Sequence, residues 1–215
     1  MVCGVLKRAP ELLAPIAVLY SHRLAQFGTK PRGVFWKNAE GQQLRFDILS
    51  GVFDSDADKG GVSLNDLGCG YGALFTHLKD QASMQDSRYY GYDISEDMIT
   101  RAKEEIEDPR ANFIQSLVPT RDADYSVASG TYNMRMDIGD EEWGEYVRAS
   151  LTHLWSRSRK AMAFNMLSTY GGNRLSDLYY ADPRPYFDFC MRNLSRNIIL
   201  FHDYSLDEWT MFVRR

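Results

Sequence analysis

The stretch that decides the fold is Val62-Ser-Leu-Asn-Asp66-Leu-Gly68-Cys-Gly70-Tyr-Gly72. A short apolar run that ends in an acidic residue predicts a buried β-strand, and the alternating glycines predict a turn leading into a helix. Because glycine has no Cβ and tolerates positive φ, the backbone of such a turn can approach a ligand closely. Asp66 adds a carboxylate at the strand tip, which repels a phosphate. The stretch therefore predicts a site for a ligand that offers a cation or hydroxyl groups.

The rest of the chain alternates between predicted strands and helices. Ser95 and the Asp182-Pro183 pair are helix-start signals, and Glu141 and Glu142 suit the first turn of a long helix. Alternation of this kind predicts a parallel sheet, and the last two strands are spaced as an antiparallel hairpin. The predicted strands are 62–66, 88–92, 111–115, 125–128, 162–167, 197–201 and 209–213, and the predicted helices follow residues 73, 95, 140 and 182.

Two further helices are predicted before the glycine loop, over residues 15–27 and 39–53. A polar, glycine-rich linker at 54–61 separates them from the first strand. We therefore predict an N-terminal helical extension over residues 1–60, which acts as a lid, and a ligand-binding domain over residues 61–215.

Composition narrows the class of protein. The 215 residues carry a net charge of −4 without a run of Lys or Arg, which argues against nucleic acid as a partner. The apolar stretch 12–20 is too short to span a bilayer and is interpreted as an amphipathic helix. Cys3, Cys69 and Cys190 are odd in number and widely spaced, which indicates reduced thiols and a cytoplasmic location. The four histidines are scattered, so no metal site is predicted.

Asp66, Gly68, Gly70 and Gly72 match D-x-G-x-G-x-G, the first motif of the class I S-adenosylmethionine-dependent methyltransferases. From about residue 60 to its end the chain resembles this family, in particular bacterial members that act on small molecules. The resemblance implies an α/β Rossmann-like fold with a mostly parallel seven-stranded sheet and a C-terminal antiparallel hairpin. It also implies S-adenosyl-L-methionine as cofactor, S-adenosyl-L-homocysteine as product, and methyl transfer to an O, N or C atom of a small metabolite.

The resemblance also implies roles for individual residues in cofactor binding. Asp66 would take the ammonium group directly or through water, Asp93 would accept the two ribose hydroxyls, and Arg45 would pair with the cofactor carboxylate. Ile94 and Met98 offer apolar surface for the adenine, and the loop at Ser116 lies where its amino group is read. The full predicted set is Trp36, Arg45, Asp66, Gly68, Cys69, Gly70, Gly72, Asp93, Ile94, Met98, Ser116 and Ser129.

The acceptor side is predicted at the end of the fourth strand, where Tyr132 and Asn133 follow Ser129. Tyr132 and His202 are the predicted catalytic residues. His202, or His22 in the extension, would serve as general base if the acceptor needs one. A tyrosine-rich region after the fifth strand is expected to complete the pocket, which gives Tyr20, Asn133, Tyr180 and Tyr186 as predicted substrate contacts.

Two alternatives stay open at this point. A nicotinamide dinucleotide site, as in an NAD(P)-dependent oxidoreductase, also fits Gly68-x-Gly70-x-x-Ala73, although Asp66 would repel its pyrophosphate and Gly72 would be unexplained. A non-catalytic protein that binds S-adenosylmethionine would keep the same motif.

Overall fold

A doubly wound sheet forms the centre of the computed structural model, which describes residues 2–36, 38–172 and 174–215, without the side chains of Val2, Cys3 and Ser55. The prediction of a reduced thiol at Cys3 thus concerns a side chain outside those that the structure describes. The strands are β1 (Ser63–Leu67), β2 (Arg88–Asp93), β3 (Ala111–Gln115), β4 (Ala123–Ala128), β5 (Ser158–Ser168), β6 (Tyr180–Ala181), β7 (Asn197–Phe201) and β8 (Glu208–Arg214). The helices are α1 (Val2–Phe27), α2 (Ala39–Ser50), α3 (Ala73–Leu78), α4 (Glu96–Glu105), α5 (Asp140–Ser156) and α6 (Pro183–Asn193), with short 3-10 turns at Pro31–Val34, Gly51–Asp56 and Ala82–Met84.

The sheet has the order β3-β2-β1-β4-β5-β8-β7, and β6 pairs with β5 off this path. Strands β1 to β5 pair in parallel, whereas β8 runs antiparallel to both β5 and β7. This confirms the predicted mostly parallel sheet with an antiparallel C-terminal pair; the two-residue β6 was not predicted. The strand order reverses between β1 and β4, and ligands of open α/β sheets bind at such a switch point.

Hydrophobic side chains fill both faces of the sheet. One cluster joins the sheet to α1, α5 and α6 and includes the buried Trp143 and Trp209. The other joins it to α2, α3 and α4 and includes Phe46 and Phe75. The N-terminal helices α1 and α2 therefore belong to opposite layers, and the chain between them crosses the carboxyl ends of the strands.

The predicted helix starts are confirmed at two caps. Ser95 accepts the N–H of Met98 at 3.2 Å, and Asp182 accepts the N–H of Arg184 at 2.9 Å. Helix α1 begins at Val2, well before the predicted residue 15, and contains Pro10 and Pro15. Both prolines are exposed, so water can bond the carbonyl groups that they leave free. The second predicted helix ends at Ser50 because the backbone tightens there into the 3-10 turn.

No helix in the described parts of the chain combines the length and the apolar character needed to cross a membrane.

Candidate functional site

A cavity opens at the carboxyl ends of β1, β2 and β4. Its floor is the glycine loop, and its roof comes from the N-terminal segment, which contributes Tyr20 from α1, Trp36 from the connection and Phe46 from α2. Among the predicted site residues, those that line the cavity are Tyr20, Trp36, Asp66, Gly68, Cys69, Gly70, Asp93, Ile94, Met98, Ser116 and Ser129.

The glycine loop is fixed by hydrogen bonds to the end of β2. The backbone N–H groups of Gly68 and Cys69 both donate to the carbonyl of Tyr92, at 2.7 and 3.0 Å. Gly68 has φ +76°, and a Cβ at this position would lie 2.6 Å from Oγ1 of Thr131. Only glycine therefore lets the loop pass between β1 and the loop after β4.

Asp66 lies beneath this loop with a side chain that is 1% exposed. Its Oδ2 accepts the hydroxyl proton of Tyr89, whereas its Oδ1 has no hydrogen-bond partner among the described residues. Burial raises the pKa of Asp66 to about 7, against the opposing effect of the Tyr89 hydrogen bond. A buried carboxylate oxygen that lies on the cavity wall and has no hydrogen-bond partner is a site for a cationic donor.

Asp93 joins the glycine loop to the start of α4. Its Oδ2 accepts the N–H of Gly70 and its Oδ1 accepts the N–H of Ser95, both at 2.9 Å. Burial raises its pKa above the ordinary value, although these two bonds act in the opposite direction. Each carboxylate oxygen can accept a further hydrogen bond, so Asp93 can still receive hydroxyl groups from the cavity.

The far end of the cavity, beside Asp93, is apolar. Ile94, Met98 and Leu117 line it, and the Oγ of Ser116 is engaged with the carbonyl of Val118 at 2.7 Å. A flat apolar group fits this end better than a charged one, because a charge here would lose its hydration without a partner.

Helix α1 is held over the cavity at the cap of α4. The hydroxyls of Ser21 and Ser95 lie 3.0 Å apart, and the ring of Tyr20 packs edge-on against Phe35, with centroids 5.6 Å apart. Burial raises the pKa of Tyr20, and the nearby Asp93 carboxylate adds to the effect. The predicted lid over residues 1–60 stays a proposal, which these contacts support.

The structure places Arg45 differently from the prediction. Its guanidinium pairs with Glu208, with distances of 2.8 Å from Nε to each carboxylate oxygen and 2.7 Å from Nη2 to Oε2. Arg45 does not line the cavity, because its planar guanidinium group is already paired with the carboxylate of Glu208. Gly72 also lies outside the lining; it caps α3 and faces Ile106 and Phe113, where a Cβ would not fit.

The predicted catalytic residues are not brought together. Tyr132 points into the core, where its hydroxyl lies 2.9 Å from that of Ser150, and it does not line the cavity. His202 is exposed, and its ring lies 5.9 Å from that of Tyr170. His22 is exposed on α1. Neither histidine lines the cavity, so the role of general base stays a prediction that this placement does not support.

Three predicted substrate contacts also lie outside the cavity lining. The hydroxyl of Tyr186 pairs with that of Tyr179 at 3.0 Å, and Tyr180 accepts the N–H of Leu175 at 3.1 Å from the short strand β6. Asn133 is different because it is 6% exposed and its Nδ2 lacks a hydrogen-bond partner in the described parts of the chain. That nitrogen lies 3.3 Å from where a Cβ of Gly130, a lining residue, would stand. Asn133 is thus adjacent to the cavity.

Several lining residues escaped the sequence interpretation. Gly130 and Thr131 lie in the loop after β4. They would have been found if every residue of this loop had been predicted to line the site. The others are mostly apolar or aromatic side chains on helices, at the end of β1 and in the loops after β1 and β3, where such residues usually belong to the core: Leu13, Ile16, Val34, Phe46, Leu67, Tyr71, Leu74, Leu117, Trp143 and Tyr146, together with Gln42 and Ala73.

Fold and site together define an α/β protein with a pocket at the topological switch point of its sheet, where such folds bind ligands. The methyltransferase domain family matches residues 65–160. The chain is also 43% identical over 156 residues to Rv1506c of Mycobacterium tuberculosis, which carries a provisional name as a methyltransferase; the match covers 71% of this chain and 93% of that protein.

Solved structures share the fold. The magnesium protoporphyrin IX methyltransferase of Synechocystis PCC 6803, crystallised with bound S-adenosylmethionine, has a TM-score of 0.60 at 16% identity and covers 82% of this chain and 81% of its own. Human N-acetylserotonin methyltransferase has a TM-score of 0.58 at 14% identity, and the match covers 99% of this chain and 70% of the human chain. At these identities the likeness concerns the fold alone.

The chain belongs to the class I S-adenosylmethionine-dependent methyltransferases. This membership contradicts the alternative of an NAD(P)-dependent oxidoreductase, in agreement with the carboxylate of Asp66 under the glycine loop.

Proposed function

We propose that this methyltransferase transfers the methyl group of S-adenosylmethionine to an O, N or C atom of a small-molecule metabolite. The observation that carries the proposal is the roofed cavity, in which the glycine loop and the acidic strand ends face aromatic side chains of the N-terminal segment. A roof of this kind obstructs a folded macromolecule, which favours a small acceptor. The net charge of −4 also argues against nucleic acid as the acceptor.

The residues present fit the cofactor. The unpartnered Oδ1 of Asp66 would hold its ammonium group, and the remaining acceptor capacity of Asp93 would hold its ribose hydroxyls. The apolar end formed by Ile94, Met98 and Leu117 would hold the adenine. Arg45 is left out of this set because Glu208 already neutralises it.

When bound, the cofactor supplies an activated methyl group on a sulfonium. The protein then contributes chiefly orientation, because fixing the nucleophile in line with the reacting bond removes most of the entropic barrier. The tyrosines Tyr20 and Tyr146 on the wall have pKa values raised by burial, so they are protonated at neutral pH and donate hydrogen bonds instead of accepting protons. Asp66, with a pKa of about 7, is the wall carboxylate whose charge changes near neutrality.

The acceptor is proposed to lie beside the loop after β4, on the cavity side of Ser129 and Asn133. Two buried polar atoms in this loop, Oγ of Ser129 and Nδ2 of Asn133, have no partner among the described residues. They would bond an acceptor that carries a carbonyl or hydroxyl oxygen. The described residues of the lining include Asp66 and Asp93 but no Lys, Arg or His, which favours a neutral or cationic acceptor over a carboxylate or phosphate ester.

A cytoplasmic location is part of the proposal. Cys69 and Cys190 are buried free thiols, as expected in a reducing compartment.

Isothermal titration of the purified protein with S-adenosylhomocysteine tests the cofactor part of the proposal, with NADH as the negative control. The acceptor part is tested by incubating the protein with S-adenosylmethionine labelled in the methyl group and with separate fractions of small metabolites, RNA and protein. We expect label only in the small-molecule fraction. Label in RNA or protein would overturn the proposed acceptor class, and absence of heat with S-adenosylhomocysteine would overturn the proposed cofactor site. Binding without transfer to any fraction would favour a non-catalytic binding protein.

A further inference from the structure

A closed circuit of contacts joins the N-terminal segment to the loop after β4 and to the last strand of the sheet. Its five members, which we call the latch, are Trp36, Arg45, Gly130, Asn165 and Glu208. The members come from the segment before β1, the loop after β4, and strands β5 and β8. No single stretch of sequence contains more than two of them.

The centre of the latch is the ion pair between Arg45 and Glu208, whose side chains are 7% and 1% exposed. Both carboxylate oxygens accept from the guanidinium, and Nη1 of Arg45 donates to the carbonyl of Gly41 at 3.2 Å. A buried ion pair gives little net stability, because desolvating two charges costs about as much as their attraction returns. The pair joins α2 to β8 through a bidentate contact.

The same carboxylate reaches the cavity wall through Asn165. The Nδ2 of Asn165 donates to Oε1 of Glu208 at 2.9 Å, and its Oδ1 accepts the N–H of Gly130 at 2.7 Å. Only one orientation of the amide satisfies both bonds. The position of Gly130 on the wall is thereby tied to the position of Glu208.

Trp36 closes the circuit from the other side. Its ring lies over the guanidinium of Arg45, with 3.7 Å between the ring centroid and Cζ. It also covers Gly130 so closely that a Cβ there would lie 2.3 Å from Cη2 of the indole. Both Trp36 and Gly130 line the cavity, so the latch sets the distance between roof and wall on its proposed acceptor side.

We propose that Arg45, Asn165 and Glu208 are positioning residues that latch the N-terminal segment closed over the cavity and hold Trp36 against Gly130. The identity of the ligand in the closed cavity rests on the proposed function. The contacts of the latch are already present in the unliganded chain. Opening the latch would free residues 31–36 and 38–50 to move away from the strand ends and would let a bound cofactor leave faster.

The test uses the full chain with the double variant Arg45→Met/Glu208→Gln. It removes both charges together, so no unpaired charge stays buried, and the amide oxygen at position 208 can still accept from Asn165. Asp108→Asn is the matched control, because it breaks a half-buried ion pair with Arg110 ahead of β3, at the opposite end of the sheet. Arg45→Lys, which keeps the charge but not the planar fork, should be intermediate.

Two measurements are made on each variant. Hydrogen exchange of the unliganded protein should accelerate about tenfold in peptides covering residues 31–50 and stay unchanged in peptides from β1 and β2, since the opening is local. Dissociation of S-adenosylhomocysteine should also be faster in the double variant and unchanged in the control. Unaltered exchange in residues 31–50, or an equal increase in β1 and β2, would overturn the latch. Failure of the wild-type protein to bind S-adenosylhomocysteine would overturn the proposed function and leave the exchange result to decide the latch.

Discussion

The backbone N–H of Gly70 donates a hydrogen bond of 2.9 Å to Oδ2 of Asp93. This bond connects the glycine loop to the end of β2, so one carboxylate shapes the loop and also faces the cavity. The second oxygen of the same group receives the N–H of Ser95 at the cap of α4. Changes at Asp93 therefore affect both the direct contact with a ligand and the backbone around it.

Replacing Asp93 by alanine should weaken binding of S-adenosylhomocysteine by about 1.5 to 3 kcal/mol, the range for hydrogen bonds to a charged group. This corresponds to roughly a 10- to 150-fold higher Kd by isothermal titration. Asp97→Ala, an exposed carboxylate in the first turn of the same helix, is the control and should bind as the wild type does. An unchanged Kd for the Asp93 variant would show that this strand end does not contact the ligand.

The pKa of Asp66 predicts a dependence of stability on pH. Burial raises this pKa in the folded state to about 7 from the ordinary value of 3.8, so between these two pH values the folded protein binds more protons than the unfolded chain. Stability of the unliganded protein should accordingly fall as the pH rises from about 4 to 7. Asp66→Asn removes this loss and should raise the free energy of unfolding at pH 8 by on the order of 4 kcal/mol, with little change at pH 4. Denaturant unfolding of both proteins at pH 4 and pH 8 measures this difference in the free energy of unfolding. An equal effect of the substitution at the two pH values would contradict the raised pKa of Asp66.

Binding should show the opposite trend with pH at the same carboxylate. A charged Asp66 attracts an ammonium group and a protonated one does not, so the affinity for S-adenosylhomocysteine should be higher at pH 8 than at pH 6. Asp66→Asn should bind weakly and lose most of this dependence. Titrations across the range measure it; a variant that keeps the full pH dependence would assign the effect to another group.

Gly68→Ala should destabilise the protein by roughly 1 to 3 kcal/mol, because the position has φ +76° and the added methyl would meet Thr131 at 2.6 Å. Gly139→Ala is the control: its φ is −63° and no atom lies within 4 Å of the added Cβ. Thermal unfolding of both variants gives the comparison. A Gly68 variant as stable as the control would mean that the loop relaxes at no cost.

His202→Ala should leave the Kd for S-adenosylhomocysteine unchanged and the stability within about 0.5 kcal/mol, as for most exposed positions. Turnover with any acceptor found in the labelling experiment should also be unchanged, because His202 does not line the cavity. A loss of turnover at unchanged stability would restore the predicted general base.

Much of the fold could be predicted because its signals are local. Ser95 caps α4 and Asp182 caps α6 through bonds to residues two or three positions away, so the helix starts appear in the sequence itself. The strand from Ser63 to Leu67 is followed by three glycines that all have positive φ. Glycine adopts this conformation most readily, so the spacing of the glycines in the sequence is enough to predict the turn. These features place the cavity floor without knowledge of any distant contact.

Neighbouring residues set backbone conformation, so the order of strands and helices, the glycine loop and the two carboxylates at the strand ends could all be predicted from the chain alone. Tertiary structure alone decided which side chains the cavity receives. Arg45 has the charge to bind a carboxylate, but its partner is Glu208, 163 residues away, and not a ligand. Tyr132 faces Ser150 in the core because helix α5 packs there. A residue's type limits what it can bond, whereas its partner depends on which distant elements the packing brings within reach.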